Sequence, residues 1–184
     1  MSKESSRRVT LVLGGVRSGK SRYAQQLAAV GERVAFIATA EGLDDDMRQR
    51  IARHREDRPA SWTTIEAPLA LEDALLQCGS DFDTILVDCL TVWTANLMQR
   101  AASGGDAPQA HAERLVQILH RIPASVILVS NEVGSGIVPD NELGRSYRDL
   151  LGLVNQRVAA GSDEVILLVA GCPLFVKQAV GVSA

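Results

Sequence analysis

Arg8-Val9-Thr10-Leu11-Val12-Leu13-Gly14-Gly15-Val16-Arg17-Ser18-Gly19-Lys20-Ser21 is the stretch on which the fold turns. The first six residues read as a buried strand running into glycine. The last eight match G-x-x-x-x-G-K-[ST] with no mismatch, and a helical pattern follows at once, with Tyr23, Leu27 and Val30 on one face. Strand, glycine loop and helix start are the parts of a phosphate cradle. Glycines let the backbone wrap closely and aim N–H groups at phosphate oxygens. The helix adds the positive end of its dipole. Gly14, Gly15, Val16, Arg17, Ser18 and Gly19 form the cradle. Lys20 neutralises the β and γ phosphates, and the Ser21 hydroxyl is a ligand for Mg²⁺.

Outward from this loop, strands and helices alternate. Apolar runs predict strands at Arg33–Ala38, Trp62–Glu66, Thr84–Asp88, Ser125–Ser130 and Glu164–Ala170, with a short edge strand at Leu174–Lys177. Helical spacing is predicted for Ser21–Val30, Leu43–Arg55, Pro68–Gln77, Val92–Ala101, His111–His120 and Leu143–Ala160. Asp44, Asp45 and Asp46 suit the first turn of the second of these. Ser103–Pro108 is the strongest loop signal. Several strands are apolar throughout, which argues a mostly parallel sheet covered on both faces. The expected fold is therefore a three-layer α/β P-loop NTPase fold with a mostly parallel, RecA-like sheet and helices on both faces. Residues 1–7 read as a polar tail and 8–184 as one catalytic domain.

Composition narrows the function. The chain has 184 residues, is 46% hydrophobic and carries a net charge of -3, so no overall field draws it to nucleic acid or an anionic membrane. Aromatic residues make up 4%, too few for a stacking platform on single strands. Cys78, Cys89 and Cys172 are widely spaced and odd in number, which argues against a disulfide framework or a zinc knuckle. No apolar run approaches a membrane span, and the polar start lacks a signal-peptide core, so a cytoplasmic protein is expected.

Asp88 closes an apolar strand, where a carboxylate either holds Mg²⁺ or caps the next helix. Together with the phosphate loop, the metal role is favoured. The guanine-reading N-K-x-D string of GTPase switches is absent. The D-x-x-G string Asp149–Gly152 falls inside a predicted helix and cannot be a switch loop.

A second constellation lies at Ala38-Thr39-Ala40 and Arg50 to Pro59, with Trp62 and Glu66. It crowds cations around His54. Spacing alone places His54 on a stripe with Leu43, Met47 and Ile51, so a packing histidine is the simpler reading there. These residues, with the phosphate loop, Asp88-Cys89-Leu90-Thr91 and Val129 through Pro139, resemble the bifunctional adenosylcobinamide kinase / adenosylcobinamide-phosphate guanylyltransferase family. The likeness runs from about residue 9 to 177 and continues through Arg148-Asp149 and Asn155-Gln156-Arg157.

The resemblance implies two steps. A nucleoside triphosphate, ATP or GTP, phosphorylates a corrinoid alcohol, adenosylcobinamide. GTP then donates GMP to that phosphate through a covalent intermediate on a histidine, matched by His54. Gly14 to Ser21, Ala38, Thr39, Ala40, Arg55, Glu56, Asp57, Arg58, Glu66 and Asp88 match nucleotide-contacting positions. Asp88 stands where some members carry Glu. The resemblance further implies a homotrimer. A neutral imidazole is a competent nucleophile toward α-phosphorus, and Arg53, Arg55 and Arg58 either steady the departing charge or form a solvated helix face. The phosphate loop presents the γ-phosphate, whereas guanylyl transfer needs attack at α. Two binding poses or a moving His54 segment would both answer this. Asn131–Pro139 is either a structural loop or a wall for the corrinoid. His111 and His120 read as surface or helix-packing residues, and Cys89 as a small buried one. The alternatives are a single-activity kinase of another small alcohol, with His54 structural, and a nucleotide-dependent regulatory module.

Overall fold

The computed structural model describes residues 7–41 and 58–178. The predicted helix Leu43–Arg55, with His54, and the site residues Arg55, Glu56 and Asp57 lie outside the described residues.

Seven strands form one sheet. They are β1 (Val9–Gly14), β2 (Val34–Ala38), β3 (Thr63–Glu66), β4 (Thr84–Asp88), β5 (Ser125–Asn131), β6 (Glu164–Val169) and β7 (Cys172–Lys177), in the order β3-β2-β4-β5-β1-β6-β7. The first six run parallel, and β7 returns antiparallel on β6. The described helices are α1 (Lys20–Ala28), α2 (Leu71–Cys78), α3 (Leu90–Ala102), α4 (Pro108–Leu119) and α5 (Glu142–Gly161).

The side-chain alternation of each strand decides which layer it feeds. Val9, Leu11, Ile85, Val87, Val126 and Leu128 pack with Leu75, Trp93, Leu115 and Val158 from α2 to α5. Their neighbours Val12, Leu86, Ile127 and Val129 face the other way and pack with Ala24 and Ala28 of α1. Helices therefore cover both faces, as expected, but unequally among the described residues. Crossover handedness accounts for the division. β1 to β2 steps one way along the sheet and puts α1 on its face. Steps in the opposite sense, from β3 to β4, β4 to β5 and β5 to β6, put α2 to α5 on the other.

Element edges shift for local reasons. The first helix ends at Ala28, and Val30 is 83% exposed rather than on the packed face. The helix after β3 starts at Leu71 and not at Pro68, whose carbonyl accepts a hydrogen bond from Asn96. Pro108 opens α4 from the first helical position, where its missing N–H costs nothing. His111 packs between helices: its Nδ1 lies 2.6 Å from Glu72 Oε1, and its ring meets Trp93 edge-on. His120 is exposed.

Candidate active site

The loop after β1 has the geometry a phosphate needs. Gly19 sits at φ 91°, a left-handed conformation open to glycine, and is the cap residue of α1 with no side chain satisfying the helix's first N–H groups. Those donors stay available for an anion. Gly14 is required by space: a Cβ there would lie 2.4 Å from Ser18 Oγ and 2.9 Å from the Leu168 carbonyl oxygen. Two hydrogen bonds brace the loop. Ser18 N–H donates to the Gly15 carbonyl at 3.2 Å, and Gly171 N–H, from the β6–β7 turn, donates to the Ser18 carbonyl at 2.9 Å.

Lys20 Nζ reaches back to donate to the Gly15 carbonyl at 3.2 Å. Burial holds its ammonium below the ordinary 10.5, against the opposing pull of Cys89 and Asp88. The same cluster pushes the Cys89 thiol up to about 11, chiefly by burial and then by Asp88. Asp88 ends β4 on the α1 face, by alternation with Leu86. It is not the helix cap: that position in α3 belongs to Cys89 and carries no side-chain cap bond.

Strand register sets the rest of the site in line. Ala38 pairs with Asp88 on one side and Glu66 on the other, and Asp88 pairs with Val129. Asn131 pairs with Gly14. Alternation puts Glu66, Ala38, Asp88 and Asn131 on the face of α1, at the end of the sheet where the phosphate loop opens. Thr39 clips this row together. Its hydroxyl accepts from Cys89 N–H at 2.9 Å and donates to the Cys89 carbonyl at 2.8 Å. Ala40 follows, half-buried.

At the far end of the row, Arg58, Pro59, Ala60, Trp62, Thr64 and Glu66 line a cavity of about 400 Å³. The Arg58 guanidinium lies 3.8 Å over the Phe36 ring and donates to Thr64 Oγ1 at 2.9 Å. Four strand steps of about 4.8 Å, roughly 19 Å in all, separate β3 from β1. Sequence reasoning missed a polar frame behind β5. Ser130 Oγ donates to Asn155 Oδ1 at 2.7 Å, and Asn155 Nδ2 donates to the Asn131 carbonyl at 3.0 Å. Tyr147 donates to the Thr91 carbonyl at 2.9 Å, and burial raises its pKa well above the usual phenol range. The available signal was Asn131 closing an apolar strand and Asn155 standing on the buried stripe of α5 with Leu151, Val154 and Val158.

Residues 10–176 match the family described as cobinamide kinase / cobinamide phosphate guanyltransferase. The chain belongs to that family. It is 44% identical over 178 residues to the bifunctional adenosylcobalamin biosynthesis protein CobU of Salmonella typhimurium, covering 91% of this chain and 98% of that protein. It is 46% identical over 171 residues to CobP of Pseudomonas aeruginosa, described in the same words, covering 91% and 96%. The cobinamide kinase family thus accounts for almost the whole chain. A solved structure of a prototypical ATPase from the type III secretion system of pathogenic bacteria superposes with a TM-score of 0.57 at 12% identity, covering 87% of this chain and 50% of that one. That likeness establishes the P-loop ATPase fold alone. Among the described residues, no helix is long and apolar enough to cross a membrane.

Proposed function

We propose that the protein phosphorylates adenosylcobinamide with a nucleoside triphosphate, ATP or GTP, and then transfers GMP from GTP to the adenosylcobinamide phosphate through a guanylyl-His54 intermediate. The products are adenosylcobinamide-GDP and pyrophosphate. The observation that carries this reading is the row of strand-end residues on one sheet face, with Glu66, Asp88 and Asn131 as its polar members. It joins a phosphate loop to a cavity flanked by Arg58, Trp62 and Glu66.

In the first step the cobinamide hydroxyl oxygen bonds to the γ-phosphorus. The bridging oxygen leaves with the nucleoside diphosphate, and the hydroxyl proton passes to water. Lys20 and the N–H groups of Gly14 to Ser21 hold the phosphates and stabilise the charge on the leaving oxygen. The Ser21 hydroxyl and Asp88 carboxylate would hold Mg²⁺. Their oxygens suit a hard cation, and among the described residues no larger His, Cys, Asp or Glu cluster competes for it. The ion supplies charge neutralisation at the β and γ phosphates when bound.

In the second step the neutral His54 imidazole attacks the α-phosphorus and pyrophosphate departs. The cobinamide phosphate oxygen then displaces the imidazole. Arg55, Glu56, Asp57 and Arg58, with Glu66, Ala38, Thr39 and Ala40, complete the proposed nucleotide contacts. We assign residues 8–184 to one catalytic unit in the cytoplasm. We also propose a homotrimer, for which β7 offers an apolar edge: Leu174 is 57% exposed and Val176 61%.

The test is incubation with GTP labelled at the α position. An acid-labile, alkali-stable label on the wild type, absent from His54→Ala, is expected. Pyrophosphate release and adenosylcobinamide-GDP formation should fall with it. A wild type that turns over GTP and cobinamide without ever carrying label defeats the covalent route.

A further inference from the structure

Helix α3 packs on the sheet face opposite α1 through Leu90, Trp93 and Leu97. Asn96 stands at the edge of that buried stripe, one turn after Trp93, and is half-buried. Its amide nitrogen carries two hydrogens, and each has a partner. Nδ2 donates to the Thr39 carbonyl at 3.0 Å and to the Pro68 carbonyl at 3.0 Å. Both carbonyls lie just past strand ends, since β2 stops at Ala38 and β3 at Glu66. The last bond between these two strands is Ala67 N–H to the Ala38 carbonyl, at 2.8 Å. A carbonyl beyond the end of a ladder needs another donor, and one side chain serves both.

What hangs from each end gives the bridge its meaning. Among the described residues, the other hydrogen bonds of Thr39 go to Asp88 and Cys89: its N–H donates to the Asp88 carbonyl at 3.3 Å, and its hydroxyl clips the Cys89 main chain. Ala40 follows Thr39. Glu66, which lines the cavity with Arg58 and Trp62, stands two residues before Pro68. Ala40 and Glu66 are proposed nucleotide contacts from different strands, and Asn96 ties their two exits to each other and to α3. The phosphate loop is braced elsewhere, by Gly171 N–H on the Ser18 carbonyl at 2.9 Å and by Glu132 N–H on the Gly14 carbonyl at 3.1 Å. Loosening the bridge therefore displaces one end of the row and leaves the other in place.

We infer that Asn96 is a positioning residue for guanylyl transfer: by holding the Thr39 and Pro68 carbonyls it fixes the gap between the β2 and β3 exits, and with it the contacts of Ala40 and Glu66 to GTP. The inference rests on the guanylyl-transfer reading above. The informative comparison is between the initial rate of protein labelling from GTP labelled at the α position, followed against GTP concentration, and the ATP-driven phosphorylation of adenosylcobinamide, which depends on the phosphate loop.

Asn96→Leu removes both donors at similar volume. It should raise the KM for GTP in labelling by about 10- to 100-fold, with the labelling kcat and the phosphorylation rate each within about threefold of wild type. Should the leucine variant fail to fold, Asn96→Ser, too short to span the two carbonyls, must show the same rise. Trp93→Phe is the control for packing. It takes a donor from the Leu69 carbonyl on the same face of α3, at 3.1 Å, and should lower the melting temperature while leaving the KM for GTP within about threefold. A rise of less than about fivefold in the folded leucine or serine variant overturns the inference. So does an equal loss of labelling and phosphorylation, or a Trp93→Phe protein whose KM rises as far, since either marks a merely structural role. A wild type that never carries label overturns the transferase reading and this inference with it, whereas label that forms equally well without Asn96 overturns the inference alone.

Discussion

Replacing Gly14 by alanine tests the phosphate loop where its packing is tightest. The added Cβ would lie 2.4 Å from Ser18 Oγ and 2.9 Å from the Leu168 carbonyl oxygen. The first neighbour is a short side chain, but it is buried, so turning it away carries a cost of its own. The second is main chain of β6, held in register by the pairing Gly14 to Leu168. Overpacking of this kind costs about 1–3 kcal/mol. At this chain length a loss of about 2 kcal/mol lowers the melting temperature by roughly 4–8 °C. Ser18→Ala alone removes a buried, unpartnered hydroxyl and should be close to neutral without nucleotide. In the Gly14→Ala background it removes the nearer clash only, so it should recover about half the loss and leave a coupling of about 1 kcal/mol. The assay is a four-variant thermal melt without nucleotide, repeated with ATP and Mg²⁺. The ligand-induced rise in melting temperature should shrink in both Gly14 variants, since the loop's N–H groups have moved. A double variant no more stable than Gly14→Ala, or a Gly14→Ala protein melting within about 1 °C of wild type, would refute the steric reasoning.

Two further outcomes follow from charges at the ends of helices. Phosphate favours the charged form of Lys20 and raises a pKa that burial holds down in the free protein. ATP affinity should therefore be full below the free-state value and decline as pH rises through it, starting below 10.5. Titration calorimetry across alkaline pH measures the slope, which Lys20→Met should flatten while lowering neutral-pH affinity by about 10- to 100-fold. At the other end of the molecule, Lys177 Nζ donates to the carbonyls of Ala159, Ala160 and Ser162, at 3.0, 3.1 and 2.5 Å, closing the C-terminus of α5 from β7. Lys177→Met should cost about 1–2 kcal/mol in a denaturant melt, with nucleotide affinity unchanged.

The parts of the fold legible from sequence are those whose cause is local. The phosphate loop, its strand and its helix need only consecutive residues, and β4 needs an apolar run stopped by Asp88. All lie where the pattern puts them, with ends displaced by a few residues. The last strand was harder. The apolar run predicts it from Leu174, whereas the turn at Ala170–Gly171 starts β7 at Cys172 and takes in Pro173, which has no N–H to give a ladder. That turn also donates Gly171 N–H to the Ser18 carbonyl, a brace more than a hundred residues away in sequence. Periodicity reports the face on which a residue stands and is silent about which residue it will meet.

The site follows the same division. Within each strand, alternation already puts Glu66 with Thr64, Asp88 with Leu86 and Asn131 with Val129. It cannot say that these three positions share a face and an end of the sheet, because that depends on register and on an order, β3-β2-β4-β5-β1, which departs from chain order. The order has a chemical consequence. Inserting β5 between the loop strand and the Asp88 strand brings the amide of Asn131 level with Gly14, at the start of the phosphate loop. A motif search sees the residues that grip phosphate, since these are consecutive in sequence. Residues that meet only across strands, such as Asn131 and Gly14, leave no such consecutive trace, and only the order of the strands brings them level.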